Sequence, residues 1–352
     1  MSTSAEAPAL MALASNPPVF SEQEARHAAV TLFGIDADAE PKSSERDRNF
    51  RVNAGSGADI VLKVCNVNED PAVIDFQIAA LRHIESTDPS LPVPRVVMTH
   101  AGEARTRVTS EAGEELMVFA LTYCPGVPLR EMTLTPPIMR AVGSTIAKLG
   151  LALRSFERAA PDQALVWDIR RADAMRQHLA LIGDGAAEEM VRETLDRFAA
   201  QTLPTMAGLR HQVIHNDANR GNILAVPGDD AEISGVIDFG DMVDGPLIQD
   251  VSTAAMELTA SSDDPISFIE AFLESYAAVN PLSNDEVACI YDCVMIRLAV
   301  CVLVYAWRDA FQAESRYDAK AEAMRFFDEM KRVDAVGRDA ATERFHTVCG
   351  TG

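Results

Sequence analysis

The sequence predicts an α+β chain in two parts: a small β-rich half, then a larger, mostly helical half that carries a short β insertion. Three observations predict this. The 352 residues suit two domains rather than one, at ~150 residues per domain. Up to Tyr123 the apolar residues come in short runs bounded by turn formers, as in strands. After Pro136 they recur mostly three and four apart, as on one face of a helix.

Ser21 with Glu24 three residues on makes a capping-box pattern, so a helix starts there and runs to Phe33, where Gly34 would end it. Arg48–Val52 and Asp59–Val64 predict two strands, with Ala54-Gly55-Ser56-Gly57 as the hairpin turn between them. Val73, Ile74, Ile78, Leu81 and Ile84 share one helical face, which predicts a helix over Pro71–Glu85. Val93–His100, Arg105–Thr109 and Leu116–Tyr123 predict further strands, the last closed by Pro125-Gly126. Helices are expected over Pro136–Phe156, Arg171–Ile182 and Ala187–Gln201. The β insertion comprises Gln212–Ile214, Asn222–Val226 and Ile233–Ile237. The helical pattern returns after Pro246 and lasts to Val336, where Gly337 would stop it. The expected organisation is a flexible leader over 1–18, an N-terminal lobe over 19–123, a C-terminal lobe over 124–345 and a tail over 346–352.

Composition narrows the function. With 31 basic and 53 acidic residues the formal charge is −22. That argues against broad nucleic-acid binding, which depends on Lys and Arg neutralising phosphates, and against docking on anionic lipid. It permits a cationic partner. None of the six cysteines sits in a CxxC pair, and Cys289, Cys293 and Cys301 share a helix face in an apolar stretch, so core thiols are expected. No disulfide framework is expected, and a reducing cytoplasm fits. The N-terminus has no basic run and carries Glu6, unlike a signal peptide. The apolar run Leu298–Trp307, flanked by Arg297 and Arg308, reads as a core helix.

The sharpest segment is His215-Asn216-Asp217-Ala218-Asn219-Arg220-Gly221-Asn222-Ile223-Leu224. Sixteen residues after Asn222 stands Asp238, in Val236-Ile237-Asp238-Phe239-Gly240-Asp241. Each polar group lies beside a short apolar strand. A hard cation such as Mg²⁺ takes a few side-chain oxygens and completes its shell with nucleotide phosphates, and Asn222 with Asp238 can provide such a pair. Asp217 is then free to orient an attacking hydroxyl and accept its proton. The plain alternative is a solvated hairpin with turn-forming Asn and Asp. The two motifs together, in this order, point instead to phosphoryl transfer.

HNDANRGNIL followed by IDFGD resembles the aminoglycoside phosphotransferase family, the small-molecule branch of the protein-kinase-like fold, and most closely its hydroxylysine-kinase-like subgroup. Ser44–Phe50, Val61-Leu62-Lys63, Leu121–Gly126, Trp167-Asp168 and Gln212–His215 support the resemblance, which spans Val19 to Arg308. It implies a two-lobed kinase-like fold, ATP or GTP with Mg²⁺ as cofactors, and a small hydroxyl-bearing acceptor. Aminoglycoside phosphorylation and a nucleotide-binding pseudokinase are the alternatives.

Residue roles follow from the resemblance. Asp217 matches the catalytic Asp, Asn222 and Asp238 the metal-binding pair, and His215 a structural His of the catalytic loop. Asp250 matches an Asp that buttresses that loop. Lys63 stands where such kinases place the Lys that contacts ATP phosphates, with Asp75 on the next helix as its candidate partner. No GxGxxG precedes Lys63; the resemblance puts Glu45 to Asn49, including Arg46, over the nucleotide, and a plain polar turn is the alternative. Backbone groups near Thr122 and Cys124 are expected at the adenine edge. Only twelve residues separate Asp238 from Asp250, too few for an activation loop and peptide platform, and Asn216 replaces the usual Arg before the catalytic Asp. Acceptor candidates are Trp167 and Asp168, as an aromatic face and carboxylate for an ammonium group or as a packed Trp and helix cap. Arg297 can grip a substrate carboxylate or form an internal ion pair, and Asp241 can bind metal, touch substrate or cap a helix.

Overall fold

The computed structural model describes residues 16–44, 46–53, 55, 59–228, 232–257, 263–312 and 318–351. Glu45, three of the four residues of the 54–57 turn and most of the leader (1–15) lie outside them. The chain divides into two compact units after Pro125.

The first unit holds α1 (Glu22–Ala28, prolonged by a π turn over Ala29–Phe33), β1 (Ala39–Lys42), β2 (Arg48–Val52), β3 (Ile60–Val64), α2 (Pro71–Thr87), β4 (Val96–Val97), β5 (Arg105–Thr109) and β6 (Glu115–Thr122). Ser21 and Glu24 close the capping box, and Gly34 ends the helix at φ 71°, a conformation glycine takes without strain. The strands form one antiparallel sheet in the order β1-β2-β3-β6-β4, with β5 also on β6. Alternation along the strands sets the two faces. Phe50, Val52, Ile60, Leu62, Val64, Leu116, Val118 and Ala120 form a core with Phe20, Ala25, Ala28 and Ala29. Lys63 therefore points to the other face, in register with Asn49 and Phe119. Of the strand expected over Val93–His100 only Val96–Val97 pairs: Pro94 has no N–H to donate, and Thr99 and His100 donate to the Glu103 and Leu32 carbonyls instead.

The second unit begins with β7 (Val127–Pro128) and α3 (Pro136–Leu153). A 3₁₀ helix (Ile169–Leu181) stands where an ordinary helix was expected, followed by α4 (Gly185–Arg197), a π turn (Phe198–Thr202) and α5 (Leu203–Met206). Then come β8 (His211–Ile214), β9 (Ile223–Ala225), β10 (Ile233–Val236) and β11 (Val243–Pro246). Among the described residues five helices follow: α6 (Leu247–Met256), α7 (Ser267–Val279), α8 (Asn284–Phe311), α9 (Ala319–Val336) and α10 (Arg338–Cys349). The last carries helix into the stretch expected as a tail. β7, β9 and β10 form one antiparallel sheet, and β8 with β11 another. The 28-residue α8 is long and apolar enough to cross a bilayer, but 94% of its apolar window is buried inside the unit, so it is a core helix. Its capping box of Ser283 and Glu286 opens it, and Arg210 pairs with Glu286.

Candidate active site

β8 ends at Ile214 and β9 begins at Ile223, so the central motif occupies the loop between two strands of different sheets. Two non-glycine residues among those described have positive φ: Asn216 at 66° and Asp238 at 64°. Asn and Asp tolerate this region best, yet surroundings must still hold them there. For Asn216 the surroundings are explicit. Its N–H donates to Asp250 Oδ1 at 2.7 Å, its Nδ2 to the Asp241 carbonyl at 3.1 Å, and its Oδ1 accepts from Gln249 Nε2 at 2.7 Å. Asn216 is fully buried. The residue standing in place of an Arg is thus the anchor of the loop.

His215 ties the two motifs together. Its Nδ1 accepts from the Asp217 N–H at 3.2 Å, which puts its proton on Nε2, 3.1 Å from the Ile237 carbonyl. Its ring meets Phe239 edge-on at 4.6 Å, and Ile237 N–H donates to the Asn222 carbonyl at 2.9 Å. Burial pushes the buttressing Asp250 carboxyl up, and the facing His215 and the N–H groups of Asn216 and His215 oppose that.

The Asp217 carboxylate is held at both oxygens. Asn222 Nδ2 donates to Oδ2 at 2.8 Å; Asn219 Nδ2 donates to Oδ1 at 3.0 Å; Arg297 Nη2 stands 3.4 Å from Oδ1. Burial pushes the proton affinity of Asp217 well above the carboxylate range, and the negative charges of Asp241 and Asp238 add to it, while Arg297 and Asn219 oppose. The charges of Asp241 and Asp238 thus act on Asp217 from the same side of the balance as burial, with Arg297 as the opposing cation.

That arrangement suits a cation. The Asn222 amide nitrogen is committed to Asp217, to its backbone carbonyl at 2.9 Å as well as its carboxylate, so the amide oxygen is the group it can offer a metal. Asp238 supplies a carboxylate from a backbone held in the left-handed region. No group of three or more His, Cys, Asp or Glu among the described residues is placed to hold an ion unaided. A site with two protein ligands and phosphates for the rest fits Mg²⁺, which keeps much of its shell outside the protein.

The structure corrects one acceptor candidate. Asp168 is 2% exposed and saturated: it caps the 3₁₀ helix through Arg170 N–H, pairs with the Arg170 guanidinium at 2.7 Å and accepts from Gln249 at 3.1 Å. A carboxylate so satisfied has no capacity left for a ligand, so the capping alternative holds. Trp167 and Arg297 do come together at Asp217. The Arg297 guanidinium lies 4.9 Å from the Trp167 ring centroid and donates to the Trp167 carbonyl. Asp241 is 9% exposed and anchors Asn216 through its carbonyl.

In the first unit Lys63 is 8% exposed, with Nζ 3.7 Å from Asp47 and 5.7 Å from the Phe119 ring. Asp75 is held by Arg105 through two bonds, at 2.5 and 2.8 Å. The structure thus adds Asp47 beside Lys63 and Arg105 beside Asp75; a direct Lys63–Asp75 pair stays an expectation. Asn66 Nδ2 donates to the Arg46 carbonyl at 3.1 Å and its backbone N–H to Asp47 Oδ1 at 3.1 Å, which ties Arg46 and Asp47 to the end of β3. Asn49 Oδ1 is buried without a hydrogen-bond partner. Thr122 N–H donates to the Arg95 carbonyl, its hydroxyl accepts from Arg95 N–H, and Tyr123 N–H goes to the Asp59 carbonyl, so these donors are engaged within the sheet; Thr122 and Cys124 at the adenine edge stay an expectation.

Sequence reasoning missed Asn219, Gln249, Asp47 and Arg105. Asn219 had a local signal: its Oδ1 accepts from the Gly221 and Asn222 N–H groups, an Asx turn inside the motif. The other three act across the fold, where no spacing rule reaches.

The comparisons agree with this architecture. The chain matches the family described as "Phosphotransferase enzyme family" over residues 39–286. It is 24% identical to hydroxylysine kinase of Danio rerio over 347 residues, covering 95% of this chain and 97% of that protein. It is 27% identical to homoserine kinase of Methylobacillus glycogenes, over 68% of this chain and 69% of that one. Its fold matches the structure titled "Amicoumacin kinase hAmiN in complex with AMP-PNP, Ca2+ and Ami", with TM-score 0.64, 17% identity and coverage of 89% of this chain and 93% of that one. The expected two-lobed kinase-like fold and the family resemblance are borne out.

Proposed function

Since this chain belongs to the phosphotransferase enzyme family, we propose that it is a small-molecule kinase that moves the γ-phosphoryl of ATP, or GTP, to a hydroxyl of a small amine-bearing acceptor. A hydroxy amino acid of the hydroxylysine type is the favoured class. The observation that carries this reading is the Asp217 carboxylate, fixed by Asn222 and Asn219 within a cluster of negative charge.

In this reaction the acceptor oxygen attacks the γ-phosphorus. The new P–O bond forms as the bond to the bridging oxygen breaks, and the nucleoside diphosphate leaves. Asp217 orients the hydroxyl and receives its proton, and its raised proton affinity suits that task. The Asn222 amide oxygen and the Asp238 carboxylate would hold Mg²⁺, which when bound offsets the charge on the phosphates. Lys63 would contribute a cation toward the phosphates, and backbone groups near Thr122 and Cys124 would meet the adenine edge. His215, Asn216 and Asp250 keep the loop in shape.

Two relatives named for amino acids with side-chain hydroxyls support the favoured class. The second reading, aminoglycoside phosphorylation, is disfavoured by Arg297, a buried cation beside the reacting carboxylate, because a polyamine prefers carboxylates alone. The test is nucleotide-coupled turnover with Mg²⁺ across 5-hydroxylysine, homoserine, ethanolamine, choline and aminoglycosides. One strong acceptor whose turnover Asp217→Ala abolishes supports the reading. Nucleotide binding with no turnover on any of them would favour a pseudokinase instead.

A further inference from the structure

The arginines that meet buried carboxylates in the second unit are closely paired. Arg170 reaches Asp168 at 2.7 Å, Arg210 reaches Glu286 at 2.7 and 2.8 Å, and Arg338 reaches Asp292 at 2.9 and 3.0 Å. Arg297 differs. It is 3% exposed, yet among the described residues its one carboxylate contact is the 3.4 Å approach to Asp217 Oδ1, longer than a charge-assisted hydrogen bond. Its Nε is buried with no partner at all. A buried guanidinium normally has its donors satisfied, so this one has capacity for an anion. Trp167 fixes its plane, with the ring at 4.9 Å and the carbonyl as acceptor.

The two Asp217 oxygens also face different surroundings. Oδ2 is bound by Asn222, the candidate metal ligand, whereas Oδ1 accepts from Asn219 at 3.0 Å and faces Arg297 at 3.4 Å. The anion that completes Arg297 therefore belongs on the acceptor side rather than on the nucleotide side. We propose that Arg297 binds the carboxylate of the acceptor, which makes the substrate a hydroxy amino acid and excludes simple amino alcohols. This rests on the kinase reading above. On binding, the acceptor carboxylate replaces the long Asp217 contact on Arg297, and the acceptor hydroxyl takes the place of Arg297 at Asp217 Oδ1, which Asn219 goes on holding.

The test uses acceptor pairs that differ only in the carboxylate: L-homoserine against 3-amino-1-propanol, and 5-hydroxy-L-lysine against 1,5-diaminopentan-2-ol. The unmodified protein should favour the amino acid of each pair by about 100-fold or more in kcat/KM. Arg297→Met should bring that ratio to within about tenfold, chiefly by raising KM for the amino acid, and Arg297→Lys should fall between. Calorimetric binding of the same four compounds, with thermal unfolding of each variant as the folding control, separates the two claims. Binding that prefers the amino acid and depends on Arg297, without any phosphorylation, would keep the carboxylate site and overturn the kinase reading. Equal turnover of both members by the unmodified protein would do the reverse. An Arg297→Met variant that loses the same factor on both members, or no binding of any of the four compounds, overturns the carboxylate site.

Discussion

The side-chain amide of Asn222 donates to Asp217 twice, to the carboxylate at 2.8 Å and to the backbone carbonyl at 2.9 Å. One residue thereby fixes both the rotamer of the proposed base and the bend of the loop that carries it, and its remaining oxygen is left for a metal. Asn222→Leu removes all three roles. It should lower kcat by about 10²–10⁴-fold, the range associated with a positioned acid–base group. Asn222→Asp keeps an oxygen ligand but sets a negative charge against Asp217, so it should also fail, with a larger requirement for Mg²⁺. Steady-state kinetics at varied Mg²⁺ distinguishes the two variants.

Asp217 also makes a prediction about pH. Its folded-state proton affinity is raised, first by burial and then by Asp241 and Asp238. A carboxyl raised in the folded state contributes stability that is fully present below its unfolded value and lost as pH climbs through the folded one. The unfolding free energy of the unmodified protein, minus that of Asp217→Ala, should therefore fall as pH rises from the ordinary carboxylate range toward neutrality. Denaturant titrations without nucleotide or metal measure it. A difference that grows with pH would contradict the assignment.

Asp292 on α8 is the buried hub of an ion cluster away from the site. At 2% exposure it accepts from Arg197 at 3.1 Å, Arg338 at 2.9 Å and the Thr202 hydroxyl at 2.8 Å. It thus joins α4, the π turn and α10 to α8. Asp292→Ala removes the acceptor for two partly exposed guanidinium groups and the Thr202 hydroxyl, and should destabilise by about 1–3 kcal/mol, the cost of leaving such donors without their partner. Chemical denaturation measures this, and the Km for nucleotide should stay unchanged in the folded variant.

How much of this was legible in the sequence follows from the range of the interactions. Asp217, Asn222 and Asp238 declare themselves because spacing within one loop and one hairpin fixes their chemistry. β2, β3 and β6 were legible because alternation and turn residues are local. β11 was not: Val243-Asp244-Gly245-Pro246 has the composition of a turn and becomes a strand only because β8 lies beside it. β1 was hidden the same way, with Pro41 in an edge strand. Arg105 meets Asp75 thirty residues away, and Gln249 meets Asn216 thirty-three away, distances over which no periodicity carries information. Arg297 was visible as a charge in an apolar helix; that it is under-satisfied is a fact of the packed state alone.

The close approach of α3 to α7 at Gly143 gives a sharp packing test. A Cβ added at Gly143 of α3 would lie 2.2 Å from the Phe272 carbonyl oxygen and 2.3 Å from Ser275 Oγ on α7. Ser275 Oγ itself donates to the Arg140 carbonyl at 2.7 Å, so the clash falls on a backbone and on a committed hydroxyl. Two terms compete in Gly143→Ala. Helix propensity favours alanine by about 0.8–1 kcal/mol. Overpacking against groups that cannot turn away costs about 1–3 kcal/mol, and the contact with rigid backbone puts this site at the upper end. Packing should win, and Gly143→Ala should destabilise. Gly150, two turns along the same helix, is the control. There an added Cβ would meet Leu247 Cδ1 at 3.4 Å and nothing nearer, an ordinary contact. Propensity then acts alone, and Gly150→Ala should be neutral or stabilising by up to about 1 kcal/mol. Denaturation midpoints that moved the same way in both variants would refute the close α3–α7 approach as the reason for glycine at 143.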